Sequence, residues 1–449
     1  MDVLSAGAAP VLFDQVRAPS TIGTWLRAFT WSNIRQFDAV TRQTLVRAWA
    51  AGLGPTDLAA SLIIDIDSSV CQTYGINKQG AKFGYTKVRG YHPLLATLAD
   101  TGEVVHSRMR GGNAASARGA KTFTAETLSR VRAAGATGEL TVRADSAFYS
   151  RHFVGACRAA DARFSVTVRQ DTAIRAAIDA IPEAAWTPIP YWMDGGADVA
   201  EVPYTAFKSN KPDAVEVRLI VRRVRPHPRF ATGAGRGVRP SRRLVTDRDG
   251  DTLALEAHHR AHARVELVIR DLKDGPLAHL PSGKFTANAA WLGLAVLAHN
   301  LGRHTLTAAG ADWSAATVGS LRRKLLTMPA RLVSSARRLR LRASANWPWA
   351  DALTSALTAI RGDPRARLTG SPPPRVRHDP THTAPEPLRP RSAAPRQPST
   401  PRNTQNPQDP PNTIATTSTQ RRPPKLAPSG LRCARSICFE ICLSTSRDG

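Results

Sequence analysis

Two short apolar runs that each end in a carboxylate constrain this chain more than any other feature. Leu62-Ile63-Ile64-Asp65-Ile66-Asp67 and Leu140-Thr141-Val142-Arg143-Ala144-Asp145 are short and rich in aliphatic residues, and each reads as a buried strand with an acid at its exit. Two strand candidates lie between them, Tyr91 to Leu98 and Glu103 to Met109, joined by the turn Asp100-Thr101-Gly102. A helix over Ala120 to Ala134, closed by Gly135, precedes the second run; a helix over His152 to Ala160 and a strand over Arg163 to Val168 follow it. The order strand-strand-strand-helix-strand-helix-strand predicts an α/β sheet, in which side chains at strand exits project into the crevice where ligands bind.

In the ribonuclease H-like fold the first and fourth strands are neighbours, so on that fold Asp67 and Asp145 meet. The expected organisation is a helical N-terminal segment over 1–60, the first part of a ribonuclease H-like core (mixed sheet, flanking helices) over 61–183, and a β-rich insertion over 184–250. The end of the core follows over 251–310, with a helix from Leu253 to Leu272 that carries Glu266. Residues 311–363 read as a basic helical segment. The tail, 364–449, holds 17 of the 33 prolines and few large apolar residues, and reads as disordered.

Charge narrows the partners. The chain carries 62 Lys and Arg against 35 Asp and Glu, a net of +27, which points to a polyanion, nucleic acid before anionic membrane. Arg322, Arg323, Lys324, Arg331, Arg337, Arg338, Arg340 and Arg342 cluster with no carboxylate among them, a natural counterion for phosphate. No apolar stretch is long enough to span a membrane and no apolar segment of a signal peptide follows the start, so a cytoplasmic, nucleoid-associated protein is expected. Five cysteines do not make a disulfide framework.

Three convergent carboxylates, Asp67, Asp145 and Glu266, repel one another unless a cation neutralises them, and an oxygen-only donor set suits Mg²⁺ or Mn²⁺. Two such ions about 4 Å apart activate a water or a 3′-hydroxyl and stabilise the leaving oxygen of a phosphodiester. Asp65 shares a strand face with Asp67, so either of the two can point into the site. Lys273 lies two helical turns beyond Glu266 and can reach a phosphate near the cut. Trp186, Tyr191 and Trp192 are candidates for stacking on an unpaired base, and the Gly111-Gly112-Asn113 loop, with Arg108, Arg110 and Arg118, for tracking a strand by phosphate contacts.

The chain resembles bacterial insertion-sequence transposases of the DDE class, specifically the family numbered thirteen-eighty within the IS-four-like clan. Asp65-Ile66-Asp67-Ser68-Ser69-Val70 is similar to the family's first strand exit, and Arg143-Ala144-Asp145-Ser146-Ala147-Phe148-Tyr149-Ser150 to its second acidic block. Glu266 and Lys273 match the second half of the clan's Y-x2-R-x3-E-x6-K signature; His259 stands at the Tyr position and His262 at the Arg position. Lys78 through Lys87, Gly90-Tyr91-His92-Pro93-Leu94-Leu95 and Asn288 through Asn300 also fit, so that the resemblance covers roughly residues 10 to 360. Its first segment, from Val11, corresponds to the late part of the family's helical N-terminal region, so a truncated DNA-binding start is expected, and the tail reads as frame-shifted text.

The resemblance implies a transposase that cuts and joins DNA at the ends of its own element, with Asp67, Asp145 and Glu266 as the catalytic and metal-holding residues and two Mg²⁺ ions. Lys273, His259, His262 and the basic residues Arg322, Arg323, Lys324, Arg337, Arg338 and Arg340 are expected to contact DNA. The expected partners are double-stranded DNA, both element ends and target, and a second copy of the chain. A metal-dependent nuclease on the same fold and an inactive, DNA-binding remnant are the alternatives.

Overall fold

The structure, a computed structural model, describes residues 17–190, 196–225, 239–335, 338–344, 346–361 and 440–441. Helices α1 (Pro19–Arg27) and α2 (Trp31–Ala50) lead. A reciprocal cap starts α2: the Thr30 hydroxyl accepts from the Asn33 amide at 3.3 Å, and the Asn33 side chain accepts from the Thr30 amide at 3.0 Å. Strand β1 (Leu62–Ser68) follows, then three short strands, β2 (Cys71–Gln72), β3 (Lys82–Phe83) and β4 (Arg89–Tyr91), which form a separate sheet in the order β2-β4-β3. The strand expected from Tyr91 to Leu98 is therefore two strands. It breaks at His92-Pro93, where proline has no amide to give to a ladder, and resumes as β5 (Leu94–Leu98), which turns into β6 (Val104–Arg108).

Next come α3 (Ala120–Ala133), β7 (Leu140–Ala144), α4 (Arg151–Ala159), β8 (Ala162–Thr167) and α5 (Thr172–Asp179). Ser150 and Asp171 cap α4 and α5 by accepting from the Phe153 and Ile174 amides. Strands β9 (Thr187–Ile189), β10 (Ala197–Ala206), β11 (Val215–Val224) and β12 (Arg239–Thr246) occupy the expected β-rich region. The chain ends its described body with α6 (Thr252–Arg260), α7 (Arg264–Lys273), α8 (Phe285–Ala308), α9 (Val318–Leu321), the hairpin β13 (Ala330–Ser335) and β14 (Arg338–Ala343), and α10 (Ala350–Arg361).

One mixed sheet of nine strands organises these elements, in the order β6-β5-β1-β7-β8-β12-β11-β10-β9. Strands β1, β7 and β8 run parallel, and every other pairing is antiparallel. The expected contact between the first and fourth long strands is present, with Ile66 paired to Ala144. The region 184–250 is not a separate unit: β12 pairs with β8, so the insertion lengthens the same sheet, and its Leu219, Val221 and Val245 join the cluster that holds Ile64 and Val142.

Strand alternation divides the core. Ile64 and Ile66, Leu94 and Ala96, Val142 and Ala144, and Phe164 and Val166 pack with Phe123 of α3 and Phe153 of α4 in one cluster. The intervening Leu95 belongs instead to a second cluster, with Val265, Ile269 and Leu272 of α7 and Val296 of α8. The opposite face of β1, β7 and β8 is thus turned toward the helical segment 252–273.

The expectations over 251–363 change in two places. The helix expected from Leu253 to Leu272 is α6 and α7 joined by a 3₁₀ turn, Ala261–Ala263. The basic segment is not helical throughout. Arg338-Leu339-Arg340-Leu341-Arg342 alternates with period two, which suits a strand, and it pairs with β13 over Ala330–Ser335. Of the tail, only Glu440–Ile441 is described, paired with Arg340–Leu341; the rest of 364–449 and residues 1–16 lie outside the described residues. Among the described residues no helix is long and apolar enough to cross a membrane.

Because the insertion shares the core, Leu219→Ala, at a fully buried site in β11, is expected to cost about 2–5 kcal/mol of global stability. Denaturant melts followed by far-ultraviolet circular dichroism and by tryptophan fluorescence should shift together; a separate early transition would show an independently folding insertion.

Candidate active site

The site is built on the polar face of the central strands. In β1, Ile64 and Ile66 enter the apolar cluster, so Asp65 and Asp67 point the other way. Asp65 is fully buried, and Arg143 stands directly across from it in the parallel ladder. Arg143 Nε and Nη2 donate to Asp65 Oδ1 and Oδ2 at 2.7 Å each, and His262 Nδ1 lies 2.8 Å from Oδ1. Burial alone would raise the Asp65 carboxyl pKa, but the hydrogen bonds from His262 and Arg143 outweigh it and hold it below the ordinary value. Arg143 Nη1 donates to the His258 carbonyl as well, which ties the pair to the end of α6. Both oxygens of Asp65 are therefore occupied, in keeping with a supporting role.

His262 reaches Asp65 from the 3₁₀ turn that separates α6 from α7. His259, expected on a DNA-facing surface, is corrected by the structure. Its ring is buried, stacked 6.3 Å from that of His262, with Nδ1 2.8 Å from Ser165 Oγ and Nε2 2.8 Å from Thr167 Oγ1. Burial pushes its pKa down to about 3, so it is a neutral peg between α6 and β8.

Asp67 and Asp145 leave the ends of the adjoining strands β1 and β7. Asp67 is half-buried, and its Oδ1 accepts from the Ser68 amide at 2.6 Å. Asp145 Oδ1 accepts from the Ala147 amide at 3.0 Å, in a turn anchored by buried Phe148. Glu266 lies in the first turn of α7, exposed, beside Val265, which packs into the second cluster with Ile269. Among the described residues nothing hydrogen-bonds or ion-pairs with it. Burial first, and then the charges of Asp145 and Glu266, raise the Asp67 pKa to about 6, against the Ser68 amide and His262, which lower it. The three acids therefore share one electrostatic field.

Their fit to a divalent cation follows from the donors. All are carboxylate oxygens, Asp67 and Asp145 each have a second oxygen without a hydrogen bond among the described residues, and Glu266 has both. As placed, no three His, Cys, Asp or Glu side chains among the described residues are gathered closely enough to hold one ion.

The other expected residues are distributed around this centre. Lys273, at the end of α7, is half-buried and lies within electrostatic reach of Cys71 at the start of the small sheet. Arg322 and Arg323 are exposed, whereas Lys324 is folded onto aromatic rings, 5.8 Å from the centre of Trp313 and 5.1 Å from that of Trp349. Arg340 is half-buried in β14, Arg338 lies on the same strand, and Arg337 lies outside the described residues. Trp186 carries the Arg223 guanidinium 4.2 Å from its ring centre, which takes one stacking face, and Tyr191 and Trp192 are outside the described residues.

Arg110 is not a phosphate contact. It is buried, with Nε on the His92 carbonyl at 2.8 Å and Nη1 on the carbonyls of Ala115, Ser116 and Arg118 at 2.9 Å. It closes the loop whose Ser116 hydroxyl meets that of Ser68 at 3.1 Å, next to Asp67. The role of Arg143 was not anticipated from sequence, although a signal existed: it precedes Asp145 by two residues as Asp65 precedes Asp67, so parallel pairing sets the two side by side.

The model of the family described as Transposase DDE domain group 1 matches residues 4–364. No curated protein sequence matches the chain. Among solved structures the chain is similar to one titled as a piggyBac transposase synaptic complex with hairpin DNA, at 12% identity and a TM-score of 0.29, over 60% of this chain and 54% of that one. The chain thus spans about half the length of that protein, and the likeness is too low to assign a fold.

Two outcomes follow for the metal-free protein. With its pKa raised from 3.8 to about 6, folded Asp67 binds more protons than unfolded Asp67 across that window, so stability falls as pH rises through it. Asp67→Asn should therefore stabilise the protein in EDTA at pH 7, by roughly 1–3 kcal/mol, with no gain at pH values below the unfolded pKa. Arg143→Met should do the reverse and cost about 3–5 kcal/mol, because it leaves the Asp65 charge buried without its main partner. Urea melts over a pH series check both.

Proposed function

The chain belongs to the family of transposase DDE domains, group 1, and from that premise we propose that it cuts DNA at the ends of an insertion sequence and joins them to target DNA. Asp67, Asp145 and Glu266 are the residues assigned to catalysis and to holding the metal. The observation that carries the reading is the single electrostatic field of three acids drawn from two adjoining parallel strand exits and one helix. The strand order β6-β5-β1-β7-β8, with only β5 antiparallel to the other four, supports a ribonuclease H-like core.

Two Mg²⁺ ions, when bound, supply activation of the attacking water or 3′-hydroxyl and charge stabilisation of the leaving oxygen. The protein's own residues set where this happens. Asp65, Arg143 and His262 tie β1, β7 and the turn before α7 to one another, which sets Asp67 and Asp145 at adjoining strand exits and fixes the start of the helix that carries Glu266. Lys273, on the far end of the same helix, is assigned to a phosphate of the bound strand. Arg322 and Arg323, exposed and without carboxylates nearby in sequence, are assigned to backbone contact with duplex DNA, as are Arg338 and Arg340 of the hairpin strand. Double-stranded ends and target are the proposed partners, held by two copies of the chain.

Asp67→Ala, Asp145→Ala and Glu266→Ala should each reduce Mg²⁺-dependent cleavage by at least about a hundredfold while leaving binding to end DNA in EDTA near wild type. Full cleavage by any one of them removes that residue from the assignment. Cleavage without joining of a pre-cut end would mean a nuclease, and binding without cleavage by the wild type would mean a DNA-binding remnant.

For the basic segment, Arg322→Ala with Arg323→Ala should lower the slope of log K against log salt by about 0.9 for each phosphate the variant no longer neutralises, on cognate and scrambled duplex alike. An unchanged slope would return both arginines to a solvated surface.

A further inference from the structure

We propose that the small sheet β2-β4-β3 and its turns form a stacking platform for unpaired nucleotides of a DNA end lying at the carboxylate site, with Phe83 and Tyr85 as the rings that receive the bases. The proposal rests on the DNA reading above and adds a surface to it.

The first observation is exposure. Tyr74 is 82% exposed, Ile76 82%, Phe83 66% and Tyr85 75%, four large apolar side chains within twelve residues of chain. Folding leaves most of their surface in solvent, and an exposed apolar cluster of this kind marks an interaction site. The second is rigidity. A Cβ at Gly112 would stand 2.1 Å from the Gly90 carbonyl and 2.2 Å from that of Lys82, and one at Gly90 would stand 2.2 Å from the Cys71 carbonyl. The small sheet is therefore packed backbone to backbone against the loop that Arg110 ties down, and its rings stand out from a fixed base, which lowers the ordering cost of stacking on them.

The third is charge. Residues 68–99 contain Lys78, Lys82, Lys87 and Arg89 and no Asp or Glu. Lys78 donates to the Leu280 carbonyl and Arg89 to that of Ile76, so these two brace the sheet, while Lys82 and Lys87 are exposed beside the rings. Exposed rings interleaved with exposed cations match a single strand, whose bases offer π-faces and whose backbone offers phosphates; a duplex hides its base faces. The fourth is position. The Tyr85 ring centre lies 5.7 Å from that of buried His92, whose carbonyl accepts from Arg110, and Arg110 ties down the loop whose Ser116 hydroxyl lies 3.1 Å from that of Ser68, next to Asp67. The platform borders the acids.

The test uses the full chain in EDTA, with a labelled oligothymidylate and a blunt mixed-sequence duplex as probes. Phe83→Ala combined with Tyr85→Ala is expected to weaken oligothymidylate binding about tenfold or more and duplex binding by less than about twofold, with unchanged thermal stability. Tyr85→Trp is expected to keep the affinity and to add an indole signal that oligothymidylate quenches, a readout that stands if the double variant fails to fold. Undiminished oligothymidylate affinity in the double variant, or no added quenching in Tyr85→Trp, overturns the platform and leaves the DNA reading in place. Failure of the wild type to bind either probe overturns both. Equal weakening toward both probes with a shift from dimer to monomer in sedimentation would assign the face to association between copies and overturn the proposal.

Discussion

The buried charge pair between Asp65 and Arg143 is the interaction on which the rest of the structure turns. Taking a carboxylate and a guanidinium out of water costs several kcal/mol each, and only paired geometry with every remaining donor engaged repays it. Here the guanidinium meets both carboxylate oxygens and the His258 carbonyl, and His262 meets the carboxylate from the other side. The arrangement exists in one register of β1 against β7. A slip of β1 by one residue would drive Asp65 into the apolar cluster and Ile64 out of it, and would leave Arg143 without its carboxylate. The pair thus selects the register, and the register sets Asp67 and Asp145 at adjoining strand exits.

Next to this satisfied centre stands one that is not. Asp65 is held below the ordinary carboxylate value by its hydrogen bonds from His262 and Arg143, and Asp67, two residues on, is raised to about 6 by burial first and then by the charges of Asp145 and Glu266. Two carboxylates on one face of one strand are separated in role by what faces them. Perturbation by burial together with like charge is the signature expected of a functional group rather than a structural one. The cost of keeping those charges together is carried by the rigid layer beneath them, which includes His259 between Ser165 and Thr167 and Arg110 under the Gly111 loop.

The basic character of the chain divides in the same way. Arg110, Arg130, Arg143 and Arg303 spend their charge inside the fold, Arg303 by donating to the Thr101 and Ala316 carbonyls and Arg130 in an ion pair with Asp38. The net charge of +27 therefore overstates how many cations face a partner. Those that do face outward include Arg322, Arg323, Lys82 and Lys87, in two regions distant in sequence.

By itself the sequence determined most of the strand and helix order around the two acidic runs, the two acids at strand exits, the third on a later helix and membership among transposase DDE domains. These are legible because periodicity and exit acids are local properties of short segments. Only tertiary structure decided that Asp65 is a buried partner of Arg143, since their pairing spans 78 residues and depends on a parallel register no local pattern encodes. It also decided that His259 faces inward and His262 faces Asp65. The two rings stack with centres 6.3 Å apart, and what separates their roles is the partner each meets, Ser165 and Thr167 of β8 for His259 and Asp65 of β1 for His262. The basic segment marks the remaining boundary: a strand period is present in Arg338 to Arg342, but the density of charge there masks the alternation. Whether the insertion was a separate unit was likewise beyond local reading, because the edge that β12 joins is offered by β8, a strand formed far earlier in the chain.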